Sequence, residues 1–225
     1  FQMRKLIALV VIAALLYGGY WFVGRSQIQT RLTEALVEVD AGDFDLSYTS
    51  LHTRGFPSRF DTTVTDLRLS DPATAMTYIA PTFQLFALSY RPNEVIAVFP
   101  QEQTLILEGD TYTILSDDMR ASGKVRANAE LTFQTAAIEI TQPKILVQDG
   151  AEFSMTRLFA AMQLTPDTMQ TYDLFLEARD MALPPDMRSQ IDPQNQQPDM
   201  IQSLRFDGDL DLTVPLALNG GDAQP

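Results

Sequence analysis

The sequence predicts a mostly β protein carried on an N-terminal membrane helix, and three observations predict it. An apolar run without a charge, Leu6 to Val23, follows Arg4 and Lys5. A helical pattern of apolar residues continues from the run to Gly42. From Phe44 onward, short alternating segments punctuated by Gly, Pro, Asn and Asp recur about every ten residues, with hardly any helical period between them. That texture belongs to antiparallel β structure and not to βαβ units. The expected architecture is a transmembrane helix that continues into an amphipathic stalk helix, then a curved antiparallel sheet forming a groove or an open sandwich.

The run LIALVVIAALLYGGYWFV has 18 residues, ten of them Leu, Ile, Val or Phe. At ~1.5 Å per residue it reaches roughly 27 Å, close to the ~30 Å hydrocarbon core of a bilayer. Tyr17, Tyr20 and Trp21 gather at its far end, where amphipathic rings sit well at headgroup level. A cleavable signal peptide would need small residues at spacing two after the apolar core. Bulky rings occupy that zone, so an uncleaved anchor is expected, with Met3 as the natural start. A short basic N-terminus stays in the cytoplasm while the long remainder is translocated. The expected divisions are an anchor over 1–24, a stalk over 25–42, a β-rich domain over 43–218 and a tail over 219–225.

Beyond the run, 14 Lys and Arg stand against 29 Asp and Glu. A domain so acidic is repelled by nucleic acid and by anionic lipid surfaces, so no nucleic-acid partner is expected. Attachment is assigned to the helix. There is no cysteine, which excludes disulfides, thiol catalysis and zinc–thiolate sites.

Ile28, Leu32, Ala35, Leu36 and Val39 recur at helical spacing, and Gly42 offers a stop. Strands are then predicted over Phe44–Leu51, Arg59–Ser70, Phe83–Tyr90, Val95–Phe99, Thr104–Glu108, Thr111–Leu115 and Met119–Val125. Further strands are predicted over Ala129–Phe133, Ala136–Gln142, Lys144–Gln148, Glu152–Leu164, Thr171–Leu183 and Leu204–Leu218. Arg91-Pro92-Asn93, Glu108-Gly109-Asp110 and Gln148-Asp149-Gly150 read as hairpin loops. Pro184 to Met200, with four prolines and a Gln-rich stretch, reads as a long surface loop holding one helical turn around Met187 to Gln190. Leu204–Leu218 alternates cleanly, with Asp207, Asp209 and Asp211 on its wet face. No strand follows it, so it is expected as an open edge able to take a partner strand.

A search for chemistry finds none that converges. His52 is the only histidine, and a lone histidine beside a strand end is a surface or capping residue far more often than a base. Asp207-Gly208-Asp209-Leu210-Asp211 mimics the start of a calcium loop, but its sixth position is Leu212 and its twelfth Leu218, where glycine and glutamate are required. No catalytic, cofactor or metal residue is assigned, and an enzyme is not expected.

The most distinctive pattern is Leu51-His52-Thr53-Arg54-Gly55-Phe56-Pro57-Ser58-Arg59-Phe60-Asp61. Gly55 suits positive φ, Pro57 reads as the first residue of a new strand, and Arg59 and Asp61 share one face with Phe60 on the other. With Ala80-Pro81, Leu88-Ser89-Tyr90-Arg91-Pro92-Asn93 and Ala97 to Pro100, it resembles the alphaproteobacterial domain-of-unknown-function 2125 family, over most of the chain to about Leu218. The resemblance implies an inner-membrane-anchored periplasmic protein with a single span and an AsmA-like β-groove. It also implies further strands after this point, so a C-terminal part is expected to be missing. It attaches no catalytic residues.

Two readings of function follow. In one, the apolar face of a curved sheet holds lipid or another hydrophobic ligand beside the membrane, with Phe86, Leu88, Tyr90, Tyr172, Leu174 and Leu176 lining the groove. In the other, the protein is structural, and the Leu204–Leu218 edge pairs with a partner strand.

Overall fold

In the computed structural model the apolar run and the stalk merge into one continuous helix, α1, Gln2–Ala41. The structure describes residues 2–41, 44–148, 150–194, 196 and 198–218. Gly42, the expected stop, and the expected tail 219–225 lie outside them. Among the described residues no helix is long and apolar enough to cross a membrane. The side chains of Leu6, Ala8 and Leu9, which belong to the apolar run, and those of Ala35, Leu36 and Val39 of the stalk pattern are outside that description. α1 packs against the first two strands.

The fourteen strands found among the described residues form one antiparallel sheet. They are β1 Asp45–Ser47, β2 Ser50–Arg54, β3 Arg59–Asp71, β4 Met76–Leu88, β5 Arg91–Val98, β6 Glu102–Leu107 and β7 Asp110–Leu115. The rest are β8 Asp118–Val125, β9 Phe133–Thr141, β10 Lys144–Val147, β11 Glu152–Ser154, β12 Arg157–Leu164, β13 Thr171–Ala182 and β14 Met200–Asp211. β4 pairs along one side with β3, and along the other first with β6 and then with β5. β5 with β6, β7 with β8, β9 with β10 and β11 with β12 are therefore halves of long arms in a simple meander. The outer side of β3 carries β1 and β2.

The arms break along one transverse line. Asp66 in β3, Gln142 between β9 and β10, and Asp180 in β13 all have positive φ. Asp66 lies opposite Pro81, between the pairs Thr65–Thr82 and Leu67–Ala80. The ladder is closed across the line by Ser116 N to Gln101 O at 2.9 Å, Asp117 N to Thr141 O at 3.0 Å and Gln142 N to Thr156 O at 3.0 Å. An extra residue in a strand reverses the face of every side chain beyond it. Because the extra residues are aligned across the sheet, the apolar set stays on one side: Phe60, Thr62 and Val64 are followed by Leu67 and Leu69. Likewise Tyr172, Leu174, Leu176 and Ala178 are followed by Met181, which clusters with Ala178 and Met155.

Several expectations are corrected. Phe44–Leu51 is two short strands, because the segment bends to follow β3. β4 starts at Met76, not Phe83, and Tyr90 sits in the turn; Arg91-Pro92-Asn93 opens β5 in place of a loop. Proline is tolerated there at the strand's second residue. Pro57 lies in the turn before β3, and the Phe56–Pro57 peptide is cis. Of Ala129–Phe133 only Phe133 is strand, the first residue of β9; the residues before it form a turn held by Asn128, whose Oδ1 accepts from Thr132 N at 3.1 Å. Glu152–Leu164 is split at the bulge line, and the surface loop holds α2, Pro185–Ile191.

The expected last strand ends early, at Asp211. Leu212–Leu218 then leaves the edge and crosses to β9, where Thr132 bridges Ala217 and Phe133 N donates to Leu216 O at 2.9 Å. β14 pairs only with β13 among the described residues. It is exposed at every position but Gly208. Amides of β14 that point away from β13 are expected to exchange hydrogen rapidly in the isolated monomer; slow exchange along the whole strand would show that the edge is covered.

The accessible surface is 15162 Å² for a chain of 25.1 kDa, against about 10,000 Å² for a compact monomer of that mass. A single sheet with a projecting helix accounts for the excess.

Candidate functional site

Cross-strand partners in an antiparallel pair point to the same face, so register alone lays out each surface. One row runs Leu85, Ala97, Ala121, Ile138, Ala160, Leu176 and Phe206 across seven arms from β4 to β14. The next runs Ala87, Val95, Gly123, Ala136, Met162, Leu174 and Gly208. Neither contains a polar side chain. The opposite face reads Gln84, Val98, Arg120, Glu139, Phe159, Glu177 and Arg205. The sheet is therefore apolar on one side and mixed on the other.

Small residues, Ala121, Gly123, Ala136 and Ala160, lie in the middle of the apolar rows, with Met162, Leu174, Leu176 and Phe206 beside them. The result is a trough of about 470 Å³ lined by Ala136, Ile138, Ala160, Met162, Leu174 and Phe206, among others. Its size falls within the ~300–1,000 Å³ range of ligand pockets. Near the bulge line the face has a polar spot. There the Tyr78 hydroxyl donates to Gln103 Oε1, and burial pushes the Tyr78 phenol up to about 12.

The structure divides the expected groove residues. Tyr172, Leu174 and Leu176 lie on the apolar face, with Tyr172 fully buried. Phe86 and Leu88 lie on the opposite one, since Leu85 and Ala87 hold the trough positions of β4; Tyr90 is an exposed turn residue. The alternation of β4 alone gives no sign of which parity faces the trough, and both parities are apolar. Phe86 and Leu88 line another cavity of about 780 Å³. Its charged rim is internally paired: Arg59 with Asp61 at 3.0 Å, Lys124 with Glu94 at 2.9 Å and Arg120 with Asp118 at 2.9 Å.

A cavity of about 1040 Å³ follows the bulge line and is mixed, with Glu102, Asp117, Asp180 and Lys144 on its walls beside Leu115, Met155 and Met200. Lys144 pairs with Glu152 at 2.9 Å, and Thr156 Oγ1 donates to Asp180 Oδ2 at 2.8 Å. No group of three metal-ligating side chains occurs among the described residues. His52 is exposed on β2.

The Gly55–Asp61 motif forms the socket for α1. Trp21, only 2 % exposed, stacks on Phe60 at 5.9 Å and meets Phe56 edge-on at 5.3 Å. Its Nε1 donates to Arg59 O at 2.9 Å. Tyr20 Oη donates to Ser89 O at 2.7 Å, and Tyr17 Oη lies 2.9 Å from Ser89 Oγ. Ser89 Oγ in turn donates to Pro57 O at 3.3 Å, which ties the β4–β5 turn to the corner. Two glycines make the approach: a Cβ on Gly24 would meet Phe60 at 2.9 Å, and one on Gly55, at φ +105°, would meet Arg59 O at 2.9 Å. Trp21, expected at the headgroup level, is thus spent on the protein itself. Sequence reasoning did not link Ser89 to the helix, because nothing local marks a serine as a long-range partner.

The fold and this site define a class: one antiparallel sheet, apolar on one face, braced by a long N-terminal helix. The chain belongs to the DUF2125 family, described as uncharacterized protein conserved in bacteria, whose model matches residues 21–221. No curated protein and no solved structure matches the chain.

Proposed function

We propose that this is a non-enzymatic module of the cell envelope that binds a lipid or similar hydrophobic ligand along its apolar face, anchored in the inner membrane by the first part of α1 with the sheet in the periplasm. The observation that carries the reading is the pair of apolar cross-strand rows, seven positions wide, with no second sheet layer among the described residues. Apolar surface left open on this scale marks a binding surface. Each methylene removed from water there contributes ~0.8 kcal/mol, so an acyl chain of ordinary length has ample driving force. The absence of charge in the rows fits a hydrocarbon tail better than a peptide.

Native mass spectrometry of detergent-extracted protein is expected to show lipid bound to the wild type. Ala121→Phe and Ala160→Phe, which fill the trough floor, are expected to lose the lipid while far-UV circular dichroism stays unchanged. Wild-type protein free of lipid would overturn the reading.

A second reading rests on β14. Its free edge and the exposed Leu204 and Phe206 suit addition of a partner strand. In that case a cross-linked partner would be held by β14, and filling the trough would not release it.

A further inference from the structure

Antiparallel strands give the sheet two ends, and the ends differ. The end beside Tyr17–Gly24 of α1 carries the β2–β3 corner, the β4–β5, β8–β9 and β12–β13 turns, and the Leu212–Leu218 crossing. Large apolar side chains stand in water on nearly all of them: Phe56, Tyr90 at 64 %, Met169 at 75 %, Val214, and Leu218 at 74 % exposed. Three arginines, Arg54, Arg91 and Arg126, sit in or beside the same turns, against two carboxylates, Glu130 and Asp167. The other end has Asp71-Pro72-Ala73-Thr74-Ala75 and Glu108-Gly109-Asp110 in its turns, and its exposed large apolar residues are Phe44, Met200 and Ile201 together with Met187 and Ile191 of α2. Both ends expose apolar side chains, but they differ in charge: arginines outnumber carboxylates in the turns beside α1, whereas the β3–β4 and β6–β7 turns opposite carry only carboxylates.

Helix geometry adds a second, independent argument. Tyr17 and Tyr20 already bond to Ser89 of the sheet, so only the part of the apolar run from Leu6 to Leu16 projects clear of it. Those eleven residues rise roughly 17 Å, well short of the ~30 Å hydrocarbon core. The last turns of the run reach bilayer depth only if the sheet end beside them enters the interface too.

We propose that this end of the sheet is itself a membrane-docking surface, with Phe56, Tyr90 and Met169 seated at the headgroup–acyl boundary of an anionic bilayer and the trough opening against it. The inference rests on the anchored reading given above. Apolar and aromatic side chains favour that depth, and arginines beside them complement anionic headgroups although the domain as a whole is acidic.

The chain has no cysteine, so single-site labelling is clean. Leu15→Cys, Tyr90→Cys, Met169→Cys and, at the far end, Ala73→Cys are each labelled with an environment-sensitive fluorophore. The full chain is reconstituted in vesicles of phosphatidylethanolamine and phosphatidylglycerol containing nitroxide lipids. Labels at 90 and 169 are expected to be quenched about twofold more than the label at 73 by a nitroxide placed near the glycerol, as interfacial seating requires. The label at 15 is expected to respond to a deep nitroxide. Labels at 90 and 169 no more quenched than the one at 73 would overturn the docking surface while a quenched Leu15→Cys kept the anchor. An unquenched label at 15 as well would overturn both.

Discussion

Trp21→Ala is expected to lower stability by about 3–5 kcal/mol, the cost of truncating a large aromatic in a packed site. For a chain of this size that corresponds to a fall in Tm of roughly 10 °C. Most of the loss comes from the cavity beside Phe60 and Phe56, and a smaller part from Arg59 O losing its donor. Phe60, 3 % exposed, is expected to cost a similar amount when cut to alanine. The two rings stack on each other, so the double variant should lose less than the sum, with a coupling of about 1 kcal/mol. Trp21→Phe keeps a ring against Phe60 but removes the N–H and part of the indole volume, so its cost sets an upper bound on the hydrogen bond's share. Far-UV circular dichroism melts in detergent suit the measurement, since the chain has one tryptophan and fluorescence would vanish with it. Midpoints indistinguishable from wild type would show that α1 is not braced by the sheet.

The residues of that joint show how far the sequence could be read. Gly55-Phe56-Pro57 was legible as a corner because glycine admits positive φ and proline fixes its own. What the corner receives was not, because Trp21 is distant in sequence and equally suited to a lipid interface. The all-β class and most strands followed from alternation, whereas boundaries failed where the chain bends without a glycine. Thr65-Asp66, Thr141-Gln142 and Arg179-Asp180 are pairs of polar residues that shift the apolar phase by one. Asp66, Gln142 and Asp180 then adopt positive φ, which polar side chains tolerate better than β-branched ones. Read one strand at a time, each pair is a local irregularity. Only the sheet shows that the three are aligned, and that alignment keeps the apolar face continuous. The parity error at Phe86 and Leu88 has the same origin: a strand apolar on both sides carries no record of which side its neighbours bury.

Tyr172→Ala is expected to be as damaging as the loss of Trp21, about 3–5 kcal/mol, and for a reason that concerns the trough. Tyr172 is 0 % exposed, its ring packs edge-on against Phe133 at 5.6 Å, and its Oη accepts from Leu216 N at 2.8 Å. It thereby joins β13, β9 and the Leu212–Leu218 crossing at the end of the apolar face nearest α1. Truncation opens a cavity beneath the crossing and removes its anchor in one step. Tyr172→Phe removes only the hydroxyl. It should cost about 1–2 kcal/mol, because Leu216 N loses its partner while the ring contact survives. The milder variant is the sharper test, since its sheet should remain folded while the crossing loosens. Leu216 and Leu218 amides are then expected to exchange faster than in wild type, with β9 and β13 unchanged. Equal exchange at Leu216 in Tyr172→Phe and wild type would mean that the crossing is held by its backbone pairing with Leu131–Phe133, and that Tyr172 fills space without fastening it.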